Sequence, residues 1–259
     1  MIFDSHAHYY SKAFKDDRDE LLTRLHSEQD VCAIVCPSEN LETTRKCIEL
    51  AEKYDFIYAA VGIHPNYADS WTENYPRILG EMLRHERVVA LGEAGLDYYR
   101  RTDNKDRQKA VFEAQLQLAA AVRKPIIIHD RDAHGDMYEM LREYRPEGVM
   151  HCFSGSVESA REVLNLGLYI GLGGSITIPN AVKPVEVAKY VPLDRLVLET
   201  DAPYLIPAPY RNGAEKYRRC ESWMIKYVAQ FIAELRGIQA DELLEITAQN
   251  AAELYRIKI

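Results

Sequence analysis

Ile2-Phe3-Asp4-Ser5-His6-Ala7-His8 stands at the start of the chain, a short β-type run that ends in two histidines. That ending separates two folds which the remaining sequence would both allow. A doubly wound open sheet usually carries a glycine-rich turn of the G-x-G-x-x-G type after its first strand. Histidines at that point suit a closed barrel, whose active sites are built at the C-terminal ends of the strands.

Working outward, β-type apolar runs recur at 2–4, 31–36, 56–63, 88–91, 125–128, 148–150, 168–172 and 195–198. Segments with helical periodicity lie between them. Leu21, Leu22 and Leu25 recur at helical spacing after the first run, and Phe112, Leu116 and Ala119 after the fourth. After the eighth, Trp223, Met224, Tyr227, Val228, Phe231, Ile232 and Leu235 form one apolar stripe. A last helix is expected from Asp241, read as its N-cap, burying Leu243, Leu244, Ala251 and Leu254. Eight strand–helix repeats within 259 residues predict an α/β chain folded as a (β/α)8 TIM barrel, one domain over residues 1–259.

Composition narrows the class. Apolar residues make up 47% of the chain, enough for a large core. No run approaches the length of a bilayer span. Asp4 and the lack of a basic leading segment argue against a secretory signal. Five cysteines, without a C-x-x-C, read as buried thiols of a reducing compartment, and Cys32 and Cys36 as core packing. A cytoplasmic protein without a membrane or an obligate protein partner is expected. The formal net charge of −8 excludes a broadly basic nucleic-acid footprint, though not a local basic patch.

Five of the eight histidines (His6, His8, His64, His129 and His151) fall at predicted strand ends. His26 and His85 read as solvated, and His134 as a polar-turn residue. Strand periodicity of two turns His6 and His8 the same way, into the barrel mouth. A metal holds such neighbouring imidazoles neutral and removes their mutual repulsion. Asp4, two residues earlier, is expected to orient an imidazole from behind. Glu93 ends an apolar run between Gly92 and Gly95, where an unpaired carboxylate is costly. His129 and His151 close two further runs. Glu199 and Asp201 share a face, with Asp201 further out and Glu199 deeper, beside a histidine or a water.

Four imidazoles and two carboxylates exceed the donors one four-coordinate ion takes from protein. They suit two divalent ions sharing Glu93, because a carboxylate offers two oxygens. Two ions hold a bridging water and stabilise the attacked oxyanion. The reaction expected is hydrolysis of an ester, foremost a phosphodiester. Asp201 is the expected general base, and His64 the group meeting the leaving group or substrate. Mg2+, Mn2+ and Zn2+ all remain candidates, as do three functions: a nuclease, a hydrolase of a small ester, amide or phosphoester, and a non-catalytic metal-bound protein. No G-x-S-x-G elbow supports a serine nucleophile, and Gly171-Leu172-Gly173-Gly174-Ser175 reads as a tight turn leaving room for substrate.

Five blocks carry a resemblance: Asp4-Ser5-His6-Ala7-His8, Val61-Gly62-Ile63-His64-Pro65, Gly92-Glu93-Ala94-Gly95-Leu96-Asp97-Tyr98, His151-Cys152-Phe153-Ser154-Gly155 and Glu199-Thr200-Asp201-Ala202-Pro203-Tyr204. In this order the chain resembles TatD-type deoxyribonucleases over essentially its whole length. The resemblance implies an amidohydrolase-type TIM barrel with a divalent two-metal site and hydrolysis of DNA, often as a 3′ to 5′ exonuclease. By position it makes His6, His8, Glu93, His129, His151 and Asp201 the ligands. One departure bears on substrate choice rather than metal chemistry: the family's Arg-Gly-Lys-Arg-Asn-Glu-Pro stretch is replaced at 211–221. Arg100, Arg101, Lys105, Arg107, Arg131, Arg211, Lys216, Arg218 and Arg219 are expected near the mouth, available to phosphates or else solvated. Tyr9, Tyr10, Tyr98, Tyr99, Tyr204 and Tyr210 are expected to stack on bases or to pack the rim.

Overall fold

The computed structural model describes residues 1–212, 217 and 219–259. Eight parallel strands follow in sequence order around one sheet: β1 (Ile2–Asp4), β2 (Val31–Pro37), β3 (Ile57–Val61), β4 (Val88–Asp97), β5 (Ile126–Arg131), β6 (Gly148–Met150), β7 (Tyr169–Leu172) and β8 (Leu196–Leu198). The Ser5 N–H bonds Leu198 O at 3.1 Å, and an isolated bridge joins Ala7 to Ala202, so β8 returns to β1. The chain is a (β/α)8 barrel.

The helices are α1 (Arg18–Glu28), α2 (Leu41–Lys53), α3 (Tyr75–Met82), α4 (Lys105–Val122), α5 (His134–Tyr144), α6 (Val157–Asn165), α7 (Val182–Tyr190), α8 (Ala208–Asn212), α9 (Ile225–Arg236) and α10 (Ala240–Tyr255). Leu21, Leu22 and Leu25 are buried on α1, and Phe112, Leu116 and Ala119 on α4, as their spacing requires. The stripe after β8 starts in a 3-10 turn over Ser222–Met224 and continues on α9, whose deepest residues include Ala229 and Ala233, while Trp223 and Phe231 are half-buried. The last helix begins at Ala240, with Gln239 at its N-cap; Asp241 lies in the first turn, where its charge favours the helix dipole.

Each strand sends at least one residue into the barrel interior: Phe3, Ala33 and Val35, Ala60, Ala90, Ile127, Val149, Tyr169 and Val197. Ala248, Ala251, Leu254 and Tyr255 of α10 pack on the same cluster and close the barrel floor. Tyr255 stacks on Phe3 with ring centroids 6.1 Å apart and donates its hydroxyl to Ser5 O. With the floor plugged, only the C-terminal ends of the strands open to solvent.

Two strands depart from simple alternation, and both departures shape the site. The β4 strand runs six residues beyond the apolar run at 88–91, through Gly92 and Gly95, and its register against β5 shifts between Leu91 and Ala94. Those glycines have φ of +147° and +152°, and a Cβ on Gly95 would stand 2.0 Å from His129 O. Glycine at both positions lets β4 lie against β5 where a side chain would hold it off. The β1 strand stops at Asp4, after its own register shift.

Candidate metal centre

The barrel mouth gathers His6, His8, His64, Glu93, His129, His151 and Asp201. A cavity of 260 Å3 is lined by His8, His64, Glu93, His129, His151 and Asp201, among others. His6 lies just beneath, fully buried. His64, His129 and His151 extend the inward parity of Ala60, Ile127 and Val149, and Asp201 that of Val197. Glu93 is one residue out of step with Ala90 and faces the mouth because of the β4 irregularity.

Glu93 stands at the centre. Its Oε2 is 3.5 Å from His6 Nε2 and 3.9 Å from His8 Nε2. His8 Nε2 is 3.2 Å from both His6 Nε2 and Asp201 Oδ1, and the latter lies 3.7 Å from His6 Nε2. Donors about 2.0–2.1 Å from a tetrahedral ion stand about 3.3–3.4 Å apart, so this set has the span of a four-coordinate site. His8 Nδ1 lies 3.2 Å from Pro37 O, which only accepts; Nδ1 therefore carries the proton and Nε2 keeps its lone pair. His6 Nδ1 is buried without a partner. Two facing imidazole nitrogens beside two carboxylates are the chemistry a cation resolves.

The second oxygen of Glu93 meets a second set. Its Oε1 is 2.6 Å from His129 Nδ1 and 3.7 Å from His151 Nε2. The far nitrogen of each imidazole has a carboxylate behind it: His129 Nε2 lies 3.2 Å from Asp97 Oδ2, and His151 Nδ1 3.0 Å from Glu199 Oε1. The latter pair is close, but its angle falls outside hydrogen-bond geometry. Glu199 Oε1 accepts from the Cys152 N–H at 2.6 Å, which anchors it. Glu199 thus sits deeper than Asp201 and beside a histidine, as its place just after the last strand suggested.

His64 differs from the others. Its Nδ1 accepts the Asn66 N–H at 3.1 Å, so Nε2 carries the proton of the neutral ring, 3.7 Å from Glu93 Oε1. Burial pushes His64 down to about 3, keeping it neutral. A protonated Nε2 is a donor, not a ligand, whatever its proximity to Glu93 and His129.

The imidazoles and carboxylates shift one another's protonation. Burial raises Glu93, yet the surrounding imidazoles of His64, His129 and His6 outweigh it and hold the carboxyl well below the ordinary range. Asp201 is likewise held low, against burial, by His8, His151 and His6. His129 rises to about 9 and His151 to about 10, where Asp97 and Glu93, and Glu199, respectively overcome burial. Asp97 falls to about 2 because bonds from His129 and the Arg100 N–H outweigh its burial.

Several expectations fail. Asp4 orients no imidazole. Phe3 faces the interior, so Asp4 turns outward, accepting from Thr200 Oγ1 and Ser222 Oγ at 2.6 Å each. Gly171 and Gly173 leave room for Glu199 and its backbone, not substrate. Arg107 and Arg219 are engaged elsewhere, with Ala68 O and Trp71 O, and with Asp17 and Glu221. Lys105 covers the Tyr98 ring, and Arg101 pairs with Asp69 and Asp103. Tyr9 and Tyr98 are buried, and Tyr210 packs on Trp223. Arg211 is exposed, whereas Lys216 and Arg218 lie outside the described residues, with part of the 211–221 departure. His134 heads α5, paired to Asp130. Arg100 and Arg131 do line the site cavity. The role of Asp97 went unread because β4 was expected to end at Leu91.

A model described as TatD related DNase matches residues 3–256. The chain belongs to the TatD-related DNase family. A relative from Bacillus subtilis (strain 168), described as the uncharacterized metal-dependent hydrolase YabD, is 44% identical over 99% of this chain and 100% of its own. A relative from Edwardsiella piscicida, described as the 3′-5′ ssDNA/RNA exonuclease TatD, is 36% identical over 94% and 95%. The crystal structure of YjjV, a TatD homolog from Escherichia coli K12, superposes with a TM-score of 0.90 at 32% identity, covering 99% of this chain and 98% of that one. As a member of the TatD-related DNase family, the chain is a metal-dependent hydrolase acting on ester bonds.

Proposed function

We propose that this protein is a 3′ to 5′ exonuclease of single-stranded DNA that works with two divalent ions. The observation carrying this reading is the division of Glu93. Its Oε2 faces His6, His8 and Asp201, and its Oε1 faces His129 and His151. On this reading those six residues would hold the two ions, with Glu93 shared between the two sets. The histidine-rich donors favour Zn2+ or Mn2+ over Mg2+.

Bound ions supply an activated water and charge for the attacked phosphoryl group. The residues do the rest. Asp201, partly open to the cavity, takes the proton of the attacking water. His64 donates a hydrogen bond from Nε2 to a phosphoryl or leaving oxygen, and the Asn66 N–H on Nδ1 keeps the proton of the neutral ring at Nε2. Glu199 and Asp97 hold the rings of His151 and His129. Arg100 and Arg131 offset the substrate's charge in an otherwise acidic chain.

All these groups come from one chain, which supports reading residues 1–259 as one domain. Among the described residues no helix is long and apolar enough to cross a membrane. Five free thiols, three of them buried, support a reducing, cytoplasmic setting.

The test is to strip the metal, restore Mg2+, Mn2+ or Zn2+ in turn, and incubate with 5′-labelled single-stranded DNA. Progressive shortening from the 3′ end is expected. Absence of cleavage with every metal, alongside turnover of a small phosphodiester or carboxyl ester, would replace this reading with that of a small-ester hydrolase.

A further inference from the structure

Four of the seventeen tyrosines are well exposed: Tyr67, Tyr99, Tyr190 and Tyr204. Only Tyr190, on α7, lies away from the mouth. Exposed aromatic rings gathered beside a catalytic cavity mark a binding surface more than a packing remnant. A second cavity, of 530 Å3, is lined by Glu39, Asn66, Tyr67, Arg100, Arg101 and Tyr204. It shares Glu39, Asn66, Arg100 and Tyr204 with the metal cavity, so the two are continuous.

The rim is tied to the centre by one repeated device. The Tyr67 N–H bonds His64 O at 2.8 Å, and the Tyr204 N–H bonds Asp201 O at 2.9 Å. The Arg100 N–H bonds Asp97 Oδ1 at 2.9 Å. In each case a residue at a strand end, or three places past one, starts a tight turn that carries the residue three places later to the rim. Any ligand gripped there is held at a fixed offset from the metal centre.

We propose that Tyr67, Tyr204 and Arg100 form a nucleotide subsite that grips the base and phosphate next to the scissile bond. This rests on the nuclease reading and adds what that reading lacks, a reason for single strands. A π-face accepts any base, but only one unstacked from its neighbours, so paired ends are excluded. Arg101 is held by Asp69 and Asp103, whereas no ion pair engages Arg100 among the described residues, leaving its guanidinium for phosphate. Asn66 Oδ1 is buried without a partner, and beside it Glu39 accepts from Tyr10. Both are acceptors, suited to the N–H and O–H donors of a nucleoside rather than to its phosphates.

The experiment compares two 5′-fluorescein oligothymidylates with phosphorothioate links near the 3′ end. One is intact and the other has abasic sugars at its last three positions. Binding to the metal-loaded protein is read by anisotropy. The wild type should prefer the intact strand by on the order of tenfold. The double change Tyr67→Ala with Tyr204→Ala should bring that ratio to about one. Tyr67→Phe with Tyr204→Phe should restore it, and Tyr190→Ala should keep it. Because Tyr67 and Tyr204 are 39% and 57% exposed, truncation leaves the core filled, which a melting curve checks. A double alanine variant that retained the preference would overturn the subsite. So would a wild type that binds both strands alike while shortening an unmodified single strand, with the nuclease reading left standing. A wild type that bound neither strand would remove both.

Discussion

Gly171 on β7 faces Glu199 so closely that a Cβ at position 171 would lie 2.5 Å from Glu199 Oε2. Glu199 in turn lies behind His151. A methyl group at Gly171 therefore reaches the metal centre through two intermediaries without touching a ligand. Gly171→Ala should lower metal affinity or kcat about 10- to 100-fold, the usual effect of disturbing a ligand's supporting partner. Metal content after dialysis, beside a melting curve, is the measurement. Full metal retention would mean that Glu199 does not position His151.

Glu93→Ala removes the carboxylate between the two donor sets. Bound metal should fall and hydrolysis of any ester should cease. Stoichiometry by atomic emission and turnover of a chromogenic phosphodiester check this. Wild-type metal content together with wild-type turnover would rule out a shared carboxylate.

Asp97→Asn acts twice, since Asp97 faces His129 with one oxygen and takes the Tyr99 and Arg100 N–H groups with the other. Asparagine keeps one acceptor and loses the charge. A kcat lower by about 10- to 100-fold is expected, with a raised KM on oligonucleotides because the Arg100 turn loosens. A change in kcat alone would confine Asp97 to His129.

Gly95→Ala tests the β4 irregularity. The new Cβ would stand 2.0 Å from His129 O, a backbone atom that no rotamer change can move aside. Loss of more than about 3 kcal/mol of stability, or of soluble protein, should follow. Urea unfolding decides it.

High pH should destabilise the fold through its buried thiols. Burial pushes Cys36 from 9.0 to about 12, and Asp4 nearby adds to the shift. A thiol that holds its proton more tightly when folded contributes fully below pH 9, and its contribution is lost as pH rises from 9 towards 12. Each unit in that window costs up to about 1.4 kcal/mol per thiol. Cys36→Ala should flatten the decline of unfolding free energy between pH 9 and 10.5. An unchanged slope would show that Cys36 ionises freely in the folded chain.

How much of this was visible beforehand differs between strands. For β3, β5, β6 and β8, a hydrophobic run of period two carries its own parity, and His64, His129, His151 and Asp201 lie where that parity points. On β1 and β4, alternation fails. Asp4 turns out to Ser222 while His6, two places on, lines the site, and Glu93 enters the mouth one residue out of step. Register against a neighbouring strand is a property of two segments distant in sequence, and no local pattern reports it. The hydroxyl partners of Asp4 make the same point, because Thr200 and Ser222 lie 196 and 218 residues away.

The sequence by itself determined the strand–helix repeat and where six candidate donors lie along it, because apolar periodicity and the cost of burying unpaired acids and imidazoles are written residue by residue. Only the tertiary structure decided which Glu93 oxygen serves which histidines, that His64 is a donor, and that Tyr67 joins Tyr204 and Arg100 at one rim. Those are matters of distance and direction between strand ends, which exist only once the barrel brings them round to one mouth.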